Sequence, residues 1–206
     1  MSTREDATII NSLVRQALTS AQEVMGDNGL NAVLRTSGLE RFIGNFPPNN
    51  LEPSIQASQY AKLNQAIEDF YGRAGKGMLR RVGKASFQYA VREQAALLGV
   101  AGVALKLLPE RQRIKFILNG MVDALKKSNP QVDARVDESG ERLAYIESTC
   151  AICHSRHSET PICYLYVGSI GEAVQWATGK EHQIIETHCL AKGDAYCRFE
   201  VGEARE

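Results

Sequence analysis

The chain has 206 residues, with 24 basic and 24 acidic side chains and a net charge of zero. That length buries a full core and makes one domain the default. A balanced charge offers no basic face, which argues against nucleic acid as the main partner.

The N-terminal third reads as helix and loop. Ile10, Leu13, Val14, Ala17, Leu18, Ala21, Val24 and Met25 recur at helical spacing, so a helix is expected over 8–25, stopped by Gly26 to Gly29. A short helix over 30–36 follows. The loop after it holds Pro47, Pro48 and Pro53, which remove backbone donors and bar regular structure there. Helix resumes near 58–71 through Leu63, Ile67 and Phe70.

The stretch 71–87, Y-G-R-A-G-K-G-M-L-R-R-V-G-K-A-S-F, is rich in glycine and base. It lacks the spacing of a phosphate loop, since Met78 follows Gly77, and reads as a turn feeding a long helix over 77–98. The segment 95–108 is apolar all round, which predicts burial. Its small residues, Gly99, Ala101, Gly102 and Ala104, leave room either for close packing or for a guest molecule. Pro109 suits the first turn of a further helix, striped by Ile114, Ile117, Leu118, Met121 and Leu125 and ended by Asn129-Pro130.

The period then changes to two. Val132, Ala134 and Val136, a D-E-S-G turn, and Leu143, Tyr145 and Glu147 predict a β-hairpin. A helix over 162–177 stops at Gly179, and a last hairpin pairs 182–189 with 196–202. Helices first and an antiparallel sheet later make the fold class α+β.

The start M-S-T-R-E-D-A-T has no apolar signal stretch, and the longest apolar run, Ala95 to Leu105, is far shorter than the roughly 20 residues of a membrane span. The expected location is cytoplasmic. All five cysteines lie between 150 and 197, which in that compartment points to metal or redox chemistry rather than disulfides.

Cys163, Glu186, Cys189 and Cys197 form the first candidate site. Three thiols and a carboxylate suit tetrahedral zinc better than a hard cation. Cys189 and Cys197 face each other if the last hairpin centres on Gly193. Glu186, three residues before Cys189, points to the opposite face of a regular strand, so a bulge must re-aim it; His188 or water is the alternative fourth ligand. A second cluster, C-A-I-C-H-S-R-H over 150–157, supplies Cys150, Cys153, His154 and His157. C-x-x-C-H is a haem attachment signature, and the same residues can hold a second metal, join Cys163 in an iron–sulfur cluster, or form a reversible dithiol. Packing of these thiols beside the zinc site is the favoured reading, so neither haem nor iron–sulfur is expected.

The basic glycine-rich stretch, the C-A-I-C…P-I-C run, and above all E-T-H-C-L-A-K-G-D-A-Y-C-R-F-E-V resemble the 4-vinyl reductase domain family over residues 60–202. The resemblance implies a TRAPP-type ligand-binding fold, with a helical layer on an antiparallel sheet, an apolar pocket and a homodimer. It also implies zinc at Cys163, Glu186, Cys189 and Cys197.

The function it implies is binding of a hydrophobic small molecule, a tetrapyrrole or its precursor, in chlorophyll biosynthesis or photosystem assembly. The partner would then be a photosynthetic membrane complex. Alternatives are a 4-vinyl reductase, or its essential subunit, and a stand-alone sensor or interaction module of the aromatic-sensing type. Arg80, Arg81, Lys84 and Lys106 are candidates to meet carboxylates at the pocket rim, with Phe87, Gly99 and Gly102 lining it. Residues 1–58 are expected to carry dimerisation, and 59–206 the zinc and ligand sites.

Overall fold

The computed structural model describes residues 6–93, 105, 107–129 and 131–205. Its elements are β1 (Thr8–Ile10), α1 (Asn11–Thr36), β2 (Pro53–Gln56), α2 (Ala57–Tyr71), α3 (Gly75–Glu93), α4 (Glu110–Ser128), β3 (Ala134–Asp137), β4 (Ala144–Glu147), α5 (Tyr164–Thr178), β5 (His182–His188) and β6 (Cys197–Ala204). Four strands form one antiparallel sheet in the order β3-β4-β6-β5. The class is α+β, as the change of period predicts.

The expected helix 8–25 and the short helix 30–36 are one element, α1, broken only at Gly26 (φ 70°, ψ 170°). That dihedral pair suits glycine and few other residues. Val14, Leu18, Leu30, Val33 and Leu34 all reach the core from it. Residues 8–10 are not helical. They pair with Pro53–Gln56 inside the proline-rich loop, where the prolines predict no regular structure. Pro53 is tolerated because it opens an edge strand, where its missing donor breaks no ladder.

α3 begins at Gly75 rather than 77, and 94–98 lie outside the described residues. Most of the apolar segment 95–108, including Gly99, Gly102 and Lys106, lies outside them too. At its end Leu105 is buried, whereas Leu107 is 87% exposed, so full burial does not extend to the end of the segment.

α3 crosses α5 with backbones in contact. A Cβ on Gly83 would stand 2.0 Å from the Leu165 carbonyl oxygen, and one on Gly168 would stand 2.0 Å from that of Arg80. The two glycines thus dock each helix under a carbonyl of the other, which draws α5 into the helical layer. α5 in turn packs on β5 of the sheet. Among the described residues, no helix is long and apolar enough to cross a membrane.

Candidate functional site: a thiol nest beside a cavity

All five cysteines converge at the end of the sheet, where α5 begins. Cys163 caps α5, and its N–H donates to Glu186 Oε2 at 2.8 Å. Cys197 opens β6. Cys189 follows β5, and its N–H donates to Asp194 Oδ2 at 2.8 Å, a bond that holds the Asp194 carboxyl below its usual range. Between them Gly193 closes the turn at φ 95°. The Leu190 N–H points at Cys197 Sγ from 3.4 Å. The ladder between β5 and β6 shifts register between Glu186 and His188. That irregularity re-aims Glu186 toward the sulfurs, as a regular strand would not.

The sulfur spacings are those of a metal tetrahedron. Zn–S bonds of about 2.3 Å at the tetrahedral angle put sulfurs about 3.8 Å apart. Cys163 Sγ lies 3.9 Å from both Cys189 and Cys197 and 3.7 Å from Cys150; Cys153 lies 3.5 Å from Cys197. Two donor quartets result: Cys163, Glu186, Cys189, Cys197 and Cys150, Cys153, Cys163, Cys197. They share the Cys163–Cys197 edge. With bonds of about 2.3 Å, metals on either side of a 3.9 Å edge would sit within about 2.5 Å of each other, against roughly 3.5–4 Å in two-metal sites. The nest therefore accommodates one ion at a time.

The donor set fits a soft divalent cation. Glu186 Oε1 is buried with no hydrogen-bond partner among the described residues, an orphan that a metal would satisfy. Burial, and then the charge of Cys189, pushes the Glu186 carboxyl up to about 9, and burial pushes the Cys150 thiol up to about 12. Anions gathered here are costly unless a cation joins them.

The second sequence cluster is divided by the fold. Cys150 and Cys153 turn into the nest. His154 turns away, lines the cavity described next, and has Nε2 3.5 Å from Asp6 Oδ1. His157 is exposed. Among the described residues neither histidine joins a donor group. The thiols of C-x-x-C-H thus face other sulfurs, not a haem edge in the cavity.

Beside the nest lies a cavity of about 860 Å³. The start of α1, the end of α3, α4, β4, the 148–154 loop and α5 line it. Leu13, Phe87, Ile117, Met121 and Leu125 give it apolar walls. One face of the sheet serves both sites. Glu147 pairs with Cys197 and Tyr145 with Phe199 across the β4–β6 ladder, so all four side chains share a face. The loop serves both sites as well, turning every third side chain to the nest. Ser148, Thr149, Ala151, Ile152 and His154 line the cavity, while Cys150 and Cys153 enter the nest. Arg156, bonded to Glu68 on α2 at 2.8 Å, anchors the segment that follows.

Sequence reasoning missed Glu147. It is 2% exposed and accepts from the Tyr145 hydroxyl at 3.1 Å. Burial pushes its carboxyl up to about 7, while the Tyr166 and Tyr145 hydroxyls offset part of the rise. A charged residue in phase with the apolar positions of a strand was the available signal. Of the expected ligand contacts, Phe87 lines the cavity. Arg80 and Arg81 are exposed and Lys84 is half-buried, and none of the three lines it. The Arg80 guanidinium instead lies 5.6 Å from the centre of the Tyr164 ring.

Residues 146–203 match the V4R domain. The segment holds every donor of both quartets and the cavity's Glu147. An uncharacterized protein of Methanocaldococcus jannaschii is 32% identical over 75 residues, which cover 36% of this chain and 41% of that protein. The chain thus matches less than half of that relative's length.

The fold as a whole is similar to solved H-NOX proteins. One is the Fe(II) unliganded protein from K. algicida, with a TM-score of 0.61 and 13% identity over 96% of this chain and 97% of that one. Another is an oxygen-binding H-NOX domain related to soluble guanylate cyclases, with a TM-score of 0.59 and 12% identity over 94% and 93%. A third, from S. oneidensis in the Fe(II)NO state, has a TM-score of 0.58 and 12% identity over 93% and 99%. At such identity the likeness is one of fold. The chain thus combines a V4R segment, a cavity beside it and a cysteine cluster able to hold a metal ion.

Proposed function

We propose that the chain is a receptor for an apolar small molecule whose cavity is held in shape by one zinc at Cys163, Glu186, Cys189 and Cys197. The observation that carries this reading is the 148–154 loop, which sends every third residue, Cys150 and Cys153, into the thiol nest and the residues around them to the cavity wall. A closed four-ligand site is structural. It would tie the N-terminus of α5 to the last hairpin, and so fix the side of the cavity formed by Leu165 and Tyr166. This quartet is favoured over the tetrathiolate because it alone satisfies the orphaned Glu186 Oε1. Elemental analysis of chelator-washed protein tests it. One zinc per chain is expected; stoichiometric iron would overturn the reading.

A tetrapyrrole guest is the second reading. It is supported by the likeness to H-NOX structures, among them ones that concern heme distortion, and by a cavity inside the range of about 300–1,000 Å³ common for ligand sites. A role in chlorophyll biosynthesis or photosystem assembly is what the resemblance to the 4-vinyl reductase domain family implies for such a guest. Titration with hemin and with a chlorophyll precursor, followed by absorbance, decides it. No binding below millimolar concentration would refute it.

A further inference from the structure

We infer that the thiol nest holds a second metal site, exclusive of the zinc quartet, in which Cys150, Cys153, Cys163 and Cys197 take a cation softer than zinc. The inference rests on the zinc quartet proposed above and assigns the two thiols that quartet leaves unused.

The two spare thiols are placed as ligands. Each residue is 1% exposed. Cys150 Sγ lies 3.7 Å from that of Cys163, and Cys153 Sγ lies 3.5 Å from that of Cys197. Their C-x2-C spacing lets one turn give two thiolates to one ion, as in structural metal sites. The four sulfurs all lie within 4.8 Å of one another, and all four residues are buried, whereas Glu186 of the zinc quartet is half-buried. The Leu190 N–H that points at Cys197 Sγ serves either set, since Cys197 belongs to both.

Donor softness separates the two sets. Both bring four anionic ligands, so total charge does not choose between them. Zinc is borderline and accepts a carboxylate oxygen, and in the tetrathiolate it would leave Glu186 Oε1 orphaned. A softer cation gains little from that oxygen and more from a fourth sulfur. The shared Cys163–Cys197 edge of 3.9 Å has no room for two ions, so entry of the soft cation expels zinc. In that exchange Cys150 and Cys153 give up two protons, and Glu186 and Cys189 take up two. The soft cation thereby takes hold of the loop that walls the cavity.

Cadmium(II) is the probe. The zinc-loaded full chain is mixed with one equivalent, desalted and analysed for both metals, and X-ray absorption at each metal's edge counts its donors. We expect zinc in the starting protein to have three sulfurs and one oxygen. Cadmium should replace it one for one and have four sulfurs. Cys153→Ala should weaken cadmium at least about tenfold, return it to three sulfurs and one oxygen, and leave zinc within about threefold. Cadmium with three sulfurs and one oxygen in the wild type overturns the second site and leaves the zinc quartet standing, as does cadmium affinity unchanged in Cys153→Ala. Retention of both metals overturns the exclusive sites. Zinc with four sulfurs in the wild type overturns the zinc quartet and this inference together.

Discussion

Replacing Gly83 by alanine should loosen one of the two close backbone contacts that join α3 to α5. The added Cβ would stand 2.0 Å from the Leu165 carbonyl oxygen and 2.9 Å from both the Leu165 carbonyl carbon and the Ser169 nitrogen. All three are backbone atoms, so no rotamer relieves the clash. Real Cβ contacts stay beyond 3.0 Å, so the helices must separate by about 1 Å or more. Overpacking of this kind costs about 1–3 kcal/mol, and a rigid backbone contact belongs at or above the upper end. For a chain of this size each kcal/mol lowers Tm by about 2–4 °C, so a drop of roughly 6–12 °C is expected. Gly77→Ala is the matched control. It lies on the same helix, and an added methyl there would meet nothing within 4 Å, so it should gain up to about 1 kcal/mol through helix propensity. Thermal unfolding followed by circular dichroism compares the two. A Gly83→Ala protein that melts within 1 °C (about 0.3–0.5 kcal/mol) of wild type would refute the close-contact argument.

Other expectations concern the metal and the ion pairs. Cys189→Ser and Glu186→Gln should each weaken zinc binding by about 100-fold or more in competition with a chromophoric chelator, whereas Cys150→Ser should leave it within about threefold. Stripping the metal should also weaken retention of an apolar probe such as naphthalene by about tenfold, because the same loop walls both sites; unchanged retention would uncouple them. Asp137 is held well below the usual carboxylate range by its bonds from Arg198, then from Ser139. Its native pKa is depressed, so its contribution is present above about pH 4 and is lost as the pH falls toward its native value. Asp137→Asn should therefore lower Tm at pH 7 and flatten the dependence of Tm on pH below 4; parallel curves for the two proteins would contradict this.

The sequence was most readable where a single periodicity ruled. α2, α4, α5 and both main-sheet hairpins stand within a few residues of their expected positions, because one apolar stripe and one turn specify each. It was least readable in β1 and β2. Three and four residues are too short for a period, and their pairing joins segments more than 40 residues apart. Gly83 and Gly168 look alike in sequence to the open Gly77. Only the crossing of α3 over α5 makes two of them indispensable.

The site divides in the same way. The sequence by itself determined the donor types, the hairpin turn at Gly193, and the spacing that lets Cys189 and Cys197 face each other, since these are properties of contiguous chain. Only the tertiary structure decided that Cys150 and Cys153 join the same nest while His154 and His157 leave it. The loop turns every third side chain to one neighbour and the rest to another, and neither neighbour is local. Likewise, Glu147 became a cavity floor and Arg80 a surface cation because of what packs above them. Burial and partnership are set by segments far away in the chain, and a residue's type does not carry that information.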